Sequence, residues 1–219
     1  FESLTLIEAE ALTLTLKDDR AGRTWQMGDG RLSVTIEDQA LSGELGLSLL
    51  DGATLAQAEL RLTTARNEGS ASLEATVDTF AARDLAAMAP PLAWLAAVDA
   101  PISGQFKALI SKEGLLSGLT ADLSLAAGSL SPGEGARPVA FDSAALSLGY
   151  DPVTARLTLD ALSVESPSLR LQAKGHADLL GEDDRPVASG VMPDALLGQI
   201  QFAKVMIDPE GQFVEPVRF

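Results

Sequence analysis

The 219-residue chain has no cysteine and one histidine, His176. The first absence excludes disulfides, thiolate nucleophiles and cysteine-ligated zinc; the second leaves too little imidazole for most histidine-based metal sites. Lack of cysteine suits an oxidising and a reducing compartment alike, so it does not place the chain. Cations are scarce: 16 Lys and Arg stand against 31 Asp and Glu, a formal charge of −15 that opposes nucleic acid and anionic headgroups as partners held by charge. Aromatic residues make up only 5%, few for the platforms on which sugars stack. No apolar run approaches the roughly 20 residues of a membrane-spanning helix. The longest, Leu85 to Val98, carries Pro90-Pro91 in its middle. The opening Phe1-Glu-Ser-Leu-Thr-Leu6 has no basic region followed by an apolar stretch, and reads as the start of a segment cut from a longer chain. Phosphate-binding, dinucleotide-binding, serine-nucleophile and His-Glu-x-x-His motifs are all missing, which points away from enzymes.

What is present is ordered β structure. With 46% hydrophobic and 21% charged residues the chain has enough apolar material to fold, as one large domain or two small ones. Most of it alternates with period 2: Leu12-Thr-Leu14-Thr-Leu16, Leu32-Ser-Val34-Thr-Ile36, Leu45-Gly-Leu47-Ser-Leu49, Leu60-Arg-Leu62, Leu123-Ser-Leu125, Leu146-Ser-Leu148, Leu157-Thr-Leu159 and Leu169-Arg-Leu171. Each run predicts a strand with one apolar and one wet face. Turn chemistry separates them at Lys17 to Gly22, Gly28-Asp29-Gly30, Arg66 to Gly69, Lys112-Glu113-Gly114, Tyr150-Asp151-Pro152 and Asp208 to Gly211. The Ala- and Leu-rich Phe80 to Val98 predicts two short helical pieces broken at Pro90-Pro91. Pro193 to Phe202 suits a helix or a strand. The expected organisation is a first β-meander over 1–80, a helical insert and strand start over 81–104, and a second β-meander over 105–219, with one continuous sheet as a further option.

Few residues suggest chemistry. His176 and Asp178 are two apart, but alternation places His176 among the outward polar residues. Asp18-Asp19 and Glu182-Asp183-Asp184 lack the Asp-x-Asp-x-Asp-Gly spacing of a calcium loop. No metal, no cofactor and no catalytic residue is therefore expected; a carboxylate-based enzyme or glycan binder would need two acids converging in a polar cleft. What remains is the apolar face of many one-sided strands with few helices to cover it. Two architectures satisfy it: a closed β-sandwich or barrel filled by Leu, Val and Ala, or an open, curved sheet whose apolar side is a trough for acyl chains.

Several stretches resemble the AsmA-like, YhdP-type (TamB-related) envelope proteins, in particular their alphaproteobacterial branch. Leu14-Thr-Leu-Lys-Asp18-Asp-Arg-Ala-Gly22-Arg-Thr-Trp25 followed by the Leu41 to Leu49 strand is similar to a family hairpin. Phe80 to Pro90 and Leu95-Ala-Ala-Val-Asp-Ala-Pro101-Ile-Ser-Gly104 resemble its helical insert and the strand after it. Leu148-Gly-Tyr-Asp-Pro152 through Gly175, and Ile207 through Phe219, also fit. The resemblance covers nearly the whole chain as pattern, and it selects the open trough: an extended, curved antiparallel sheet, a repeating β-groove, with one or two short helices. It implies a non-catalytic periplasmic segment of a longer protein, held at the inner membrane by an anchor outside this segment. Its implied partners are phospholipid acyl chains and neighbouring repeats of the same chain, and its implied role is lipid transport toward the outer membrane. The alternative is a structural or assembly module of the envelope without lipid cargo. Under the trough reading the expected lining residues of the first half are Leu12, Leu14, Leu16, Trp25, Val34, Leu47, Leu60 and Leu62. Phe106, Leu123, Leu125, Leu157, Leu159, Leu169 and Leu171 continue the lining through the second half.

Overall fold

The computed structural model describes residues 5–18, 23–37, 40–51, 54–65, 69–88, 90–131, 133, 137–167, 169–188, 191–207 and 217–218. The chain divides into two compact units, Phe1–Phe80 with Gly104–Leu119, and Ala81–Ser103 with Thr120–Phe219. The expected partition shares its first boundary with this division, while the insert lies in the second unit and Gly104–Leu119 in the first.

In the first unit, β1 (Leu6–Asp18), β2 (Arg23–Glu37), β3 (Ala40–Asp51), β4 (Thr54–Ala65) and β5 (Ala71–Ala81) pair antiparallel in chain order. Alternation then places apolar side chains in rows across the strands, because directly opposed residues share a face. One row is Ala9, Leu32, Leu45, Leu60 and Ala75, and its neighbour is Ile7, Val34, Gly43, Leu62 and Leu73. The opposite face carries Glu8, Ser33, Glu44, Arg61 and Glu74 in one row. Arg61 donates to Glu44 at 2.8 Å and Lys107 to Glu74 at 3.1 Å, so this face neutralises part of its own charge.

After β5 come α1 (Ala82–Met88), a 3₁₀ segment (Pro90–Ala97), β6 (Val98–Asp99), β7 (Pro101–Ile110) and β8 (Leu116–Leu125). The helical break falls at Pro90-Pro91 as the sequence predicts. β7 and β8 each contribute residues to both units. Between them Ser111 N–H donates to the Leu115 carbonyl at 2.8 Å, with Gly114 at φ +79° in the expected turn. The second unit adds β9 (Gly128–Leu130), β10 (Val139–Phe141), β11 (Ser143–Asp151), β12 (Arg156–Glu165), β13 (Leu169–Leu180), β14 (Ala195–Ile207) and β15 (Val217–Arg218). Here β11-β12-β13-β14-β15 are antiparallel neighbours, and β10-β9-β6 form a separate small sheet. The fold is thus mainly β and antiparallel with two short helical segments. β1 remains an edge of the first unit and β14–β15 an edge of the second, so no barrel closes.

One reading of the sequence is corrected and one open alternative is resolved. Gly28-Asp29-Gly30 is not a turn between strands but a bulge inside β2: three steps from Gly28 to Arg31 oppose two from Ser48 to Gly46. The extra residue keeps the even-numbered Leu32, Val34 and Ile36 on the face of the odd-numbered Met27, which unbroken alternation would not do. Asp29 takes φ +52° there, and a Cβ on Gly30 would lie 2.8 Å from that of Leu12. Of the two alternatives for Pro193 to Phe202 the strand is found: Ala195 onward pairs along its length with β13. The expected turns at Asp19 to Gly22, Arg66 to Glu68 and Asp208 to Gly211 lie outside the described residues.

The tightest core is in the second unit. Leu95, Ile102 and Leu179 are fully buried, joined by Leu85, Leu92, Leu123, Leu148 and Phe141. In the first unit the described strands belong to one sheet, and most of its apolar face, Leu12, Leu14, Val34, Leu47, Leu60 and Leu62 included, is half-buried.

Candidate apolar binding site

The inner face of the second unit follows from two strand phases joined by a bulge. In β12 the apolar residues are Leu157 and Leu159, then Leu162 and Val164, a change from odd to even. Leu159 faces Gly175 and Leu162 faces Ala173, so three steps on β12 meet two on β13. The surplus at Asp160-Ala161 turns all four side chains to one side. β13 continues the face with Leu169 and Leu171, and β11 with Leu146 and Leu148.

The small sheet and the 3₁₀ segment stand over that face without filling the space beneath. They leave a cavity of about 390 Å³, walled from β11–β14 by the side chains above together with Ala144, Ala177 and Ile200. Val98, Leu130, Val139 and Phe141 wall it from the small sheet, Leu125 from β8 and Trp94 from the 3₁₀ segment. Its size falls within the roughly 300–1,000 Å³ typical of small-molecule sites. The wall is aliphatic, with Trp94 and Phe141 as its aromatic exceptions. His176 borders it, but its pairing with Thr158 puts its side chain on the outward face, and the Trp94 indole nitrogen is buried with no hydrogen-bond partner among the described residues. From Ile200 the apolar face runs on to the sheet edge, where Leu196, Ile200 and Phe202 are 46%, 56% and 61% exposed.

Of the expected lining residues, Leu125, Leu157, Leu159, Leu169 and Leu171 come together on this cavity. Leu123 does not line it and is packed into the core. Leu12, Leu14, Val34, Leu47, Leu60, Leu62 and Phe106 lie in the first unit, half-buried on its strands. The side chains of Leu16 and Trp25 lie outside the described residues. Sequence reasoning missed the cover: Trp94, Val98, Leu130, Val139 and Phe141 sit on a 3₁₀ segment and strands of two or three residues. Runs that short have no period to read.

The polar faces hold larger hollows, about 480 Å³ in the first unit and 560 Å³ in the second. The charges around the first are partly paired with one another, and the second is bordered by exposed Asp122, Ser124, Asp160 and Lys174 together with buried Leu123, Leu146 and Ala173. Among the described residues no group of three or more His, Asp or Glu is placed to hold a metal ion. Asp178 is paired with Arg156: its two oxygens accept from the guanidinium at 2.7 and 3.1 Å. That hydrogen bonding holds the Asp178 carboxyl below its usual range, against the opposing effect of desolvation, with the Arg156 and His176 charges adding to the lowering. A carboxylate depressed in the folded state stabilises the fold above its unfolded pKa, and that contribution disappears as pH falls through the folded value. The thermal midpoint of Asp178→Asn is therefore expected to depend less on pH than that of the parent below about pH 4. Parallel melting curves of the two proteins across that window would contradict the pairing. Asp151 is depressed in the same way by the Val153 amide and the Thr154 hydroxyl, which it accepts at 2.8 and 3.0 Å in the β11–β12 turn.

Among the described residues no helix is long and apolar enough to cross a membrane. No protein-family model, no curated protein and no solved structure matches this chain.

Proposed function

We infer that this protein is a non-catalytic carrier of acyl chains, a segment of an AsmA-like envelope protein that holds phospholipid tails in the periplasm on their way between membranes. The observation that supports the reading most is the aliphatic cavity beneath the small sheet, continued by exposed apolar side chains to the edge at β14. A space walled by leucine leaves its lining without apolar partners unless an apolar molecule fills it. Each methylene moved from water into such a wall gains roughly 0.8 kcal/mol. Flexible hydrocarbon suits walls of Leu and Val, which offer area without directional contacts, and selectivity among chain types is expected to be low. The headgroup stays in water, at the open side toward Leu196 and Phe202.

The test is native mass spectrometry of the protein prepared without detergent and then mixed with vesicles of phosphatidylcholine, whose headgroup carries no net charge. The parent protein is expected to carry phospholipid, and Leu159→Asp with Leu171→Asp to lose at least about tenfold of it, since a carboxylate in the wall must be desolvated by the tail. A Thr158→Asp control on the outward face of β12 should retain lipid. A lipid-free parent that takes up none from vesicles would overturn the reading in favour of a purely structural module.

A further inference from the structure

Backbone contacts fix the volume of the cavity beneath the small sheet. Three hydrogen bonds pin its cover: the Ala126 N–H donates to the Pro101 carbonyl at 3.0 Å, the Ser131 N–H to the Ala97 carbonyl at 2.8 Å and the Asp142 N–H to the Glu165 carbonyl at 2.8 Å. Between these points Val98 and Asp99 of β6 pair with Leu130 and Ser129 of β9, and β10 pairs with the other side of β9. A Cβ at Gly128 would lie 2.5 Å from that of Ala100, so β9 already stands as close to its neighbour as backbones allow. A cover tied in this way does not swell, because packed interiors are nearly incompressible.

The volume sets how much hydrocarbon enters. An apolar protein cavity of about 150 Å³ admits benzene, roughly 25 Å³ for each carbon. At the same density a cavity of about 390 Å³ takes roughly 16 carbons, one acyl chain of ordinary length but not the two of a phospholipid. Along β13 the wall runs from Leu169 to Ala177, about 26 Å of strand, so a single chain fits extended. We propose that this site, on the acyl-carrier reading on which the proposal rests, holds one hydrocarbon chain at a time, with affinity that rises with each carbon up to roughly 16 and then levels off. Its ligand is a single-chain amphiphile, or one tail of a phospholipid whose second tail stays outside the cavity. Longer chains are not rejected; their further carbons leave the cavity and gain little. Ala144 on β11 and Leu159 on β12 both wall the space, so their size sets its capacity.

The test is titration calorimetry of the full chain with lysophosphatidylcholines of about 10 to about 20 carbons, each below the concentration at which it forms micelles. The dissociation constant should fall about fourfold for each added methylene up to roughly 16 carbons and change little beyond. Native mass spectrometry should count one lysolipid per protein. Ala144→Leu, which puts about three carbons of side chain into the space, should bring the levelling point down by about three carbons. Leu159→Ala should raise it by about as much, and serves alone if the first variant does not fold. Circular dichroism checks that each variant keeps its strands. Two lysolipids per protein, an affinity that keeps rising through the longest chain, or a levelling point that no folded variant moves would overturn the proposal and leave the acyl-carrier reading in place. So would phosphatidylcholine bound where no lysolipid is. A protein that binds neither lysolipid nor phosphatidylcholine would overturn both.

Discussion

Truncating Leu95 to alanine is expected to lower the stability of the second unit by about 3 kcal/mol, within the roughly 2–5 kcal/mol seen for buried leucines. Leu95 is completely buried in the 3₁₀ segment that α1 packs against, and its neighbour Trp94 is part of the cavity wall. The loss combines apolar surface that no longer leaves water on folding with a void that short, proline-bounded backbone cannot close. Urea unfolding followed by Trp94 fluorescence, in a Trp25→Phe background, reads this unit alone. Val153→Ala, at a turn residue 90% exposed, is the control and should stay within about 0.5 kcal/mol of its parent. A Leu95→Ala midpoint equal to that of the control would mean that the segment is not packed as described.

Gly175→Val is expected to release β14 altogether. A Cβ at Gly175 would stand 2.2 Å from the Gln199 carbonyl oxygen and 3.0 Å from the Ile200 Cα, all backbone atoms of the neighbouring strand. Two residues along the ladder, a Cβ at Gly198 would stand 2.2 Å from the His176 carbonyl oxygen. Glycine weakens a strand interior, and here it is present because the two backbones approach more closely than any side chain permits. Backbone atoms do not move aside as a flexible side-chain tip would. Amides of Ala195–Ile207 should lose at least about 100-fold of their hydrogen-exchange protection as local opening approaches zero free energy, while β11 and β12 keep theirs. Equal protection of β14 in the variant would contradict the close approach. Because Ile200 walls the cavity, the same substitution should also open that wall.

Alternation carried most of the fold. Leu157-Thr-Leu159 and Leu169-Arg-Leu171 each placed an apolar face correctly because a strand's period of 2 leaves no other choice once one face is covered. It failed where the phase changes. Gly28-Asp29-Gly30 has the composition of a turn, and nothing local distinguishes a turn from a bulge that lets Met27 and Leu32 share a face; pairing with β3 decides it. Pro193 to Phe202 was ambiguous because Gly198 disfavours both helix and strand, and its reason, the contact with β13, is not local. The cavity was half legible. Its sheet side consists of residues with a readable period, whereas its cover depends on Gly128 in β9, where a Cβ would lie 2.3 Å from the Asp99 carbonyl oxygen. That approach lets the small sheet form, and it joins residues far apart in the chain.

Trp94 lies in the wall of the space beneath the small sheet that is proposed to receive hydrocarbon. Removing the other tryptophan by Trp25→Phe leaves Trp94 as the sole indole, and phospholipid with brominated acyl chains quenches indole only at contact distance. Saturable quenching of Trp94 is expected, reversed by unbrominated phospholipid and lost in the Leu159→Asp, Leu171→Asp variant. Emission that brominated phospholipid leaves unchanged, while the protein remains folded, would contradict it.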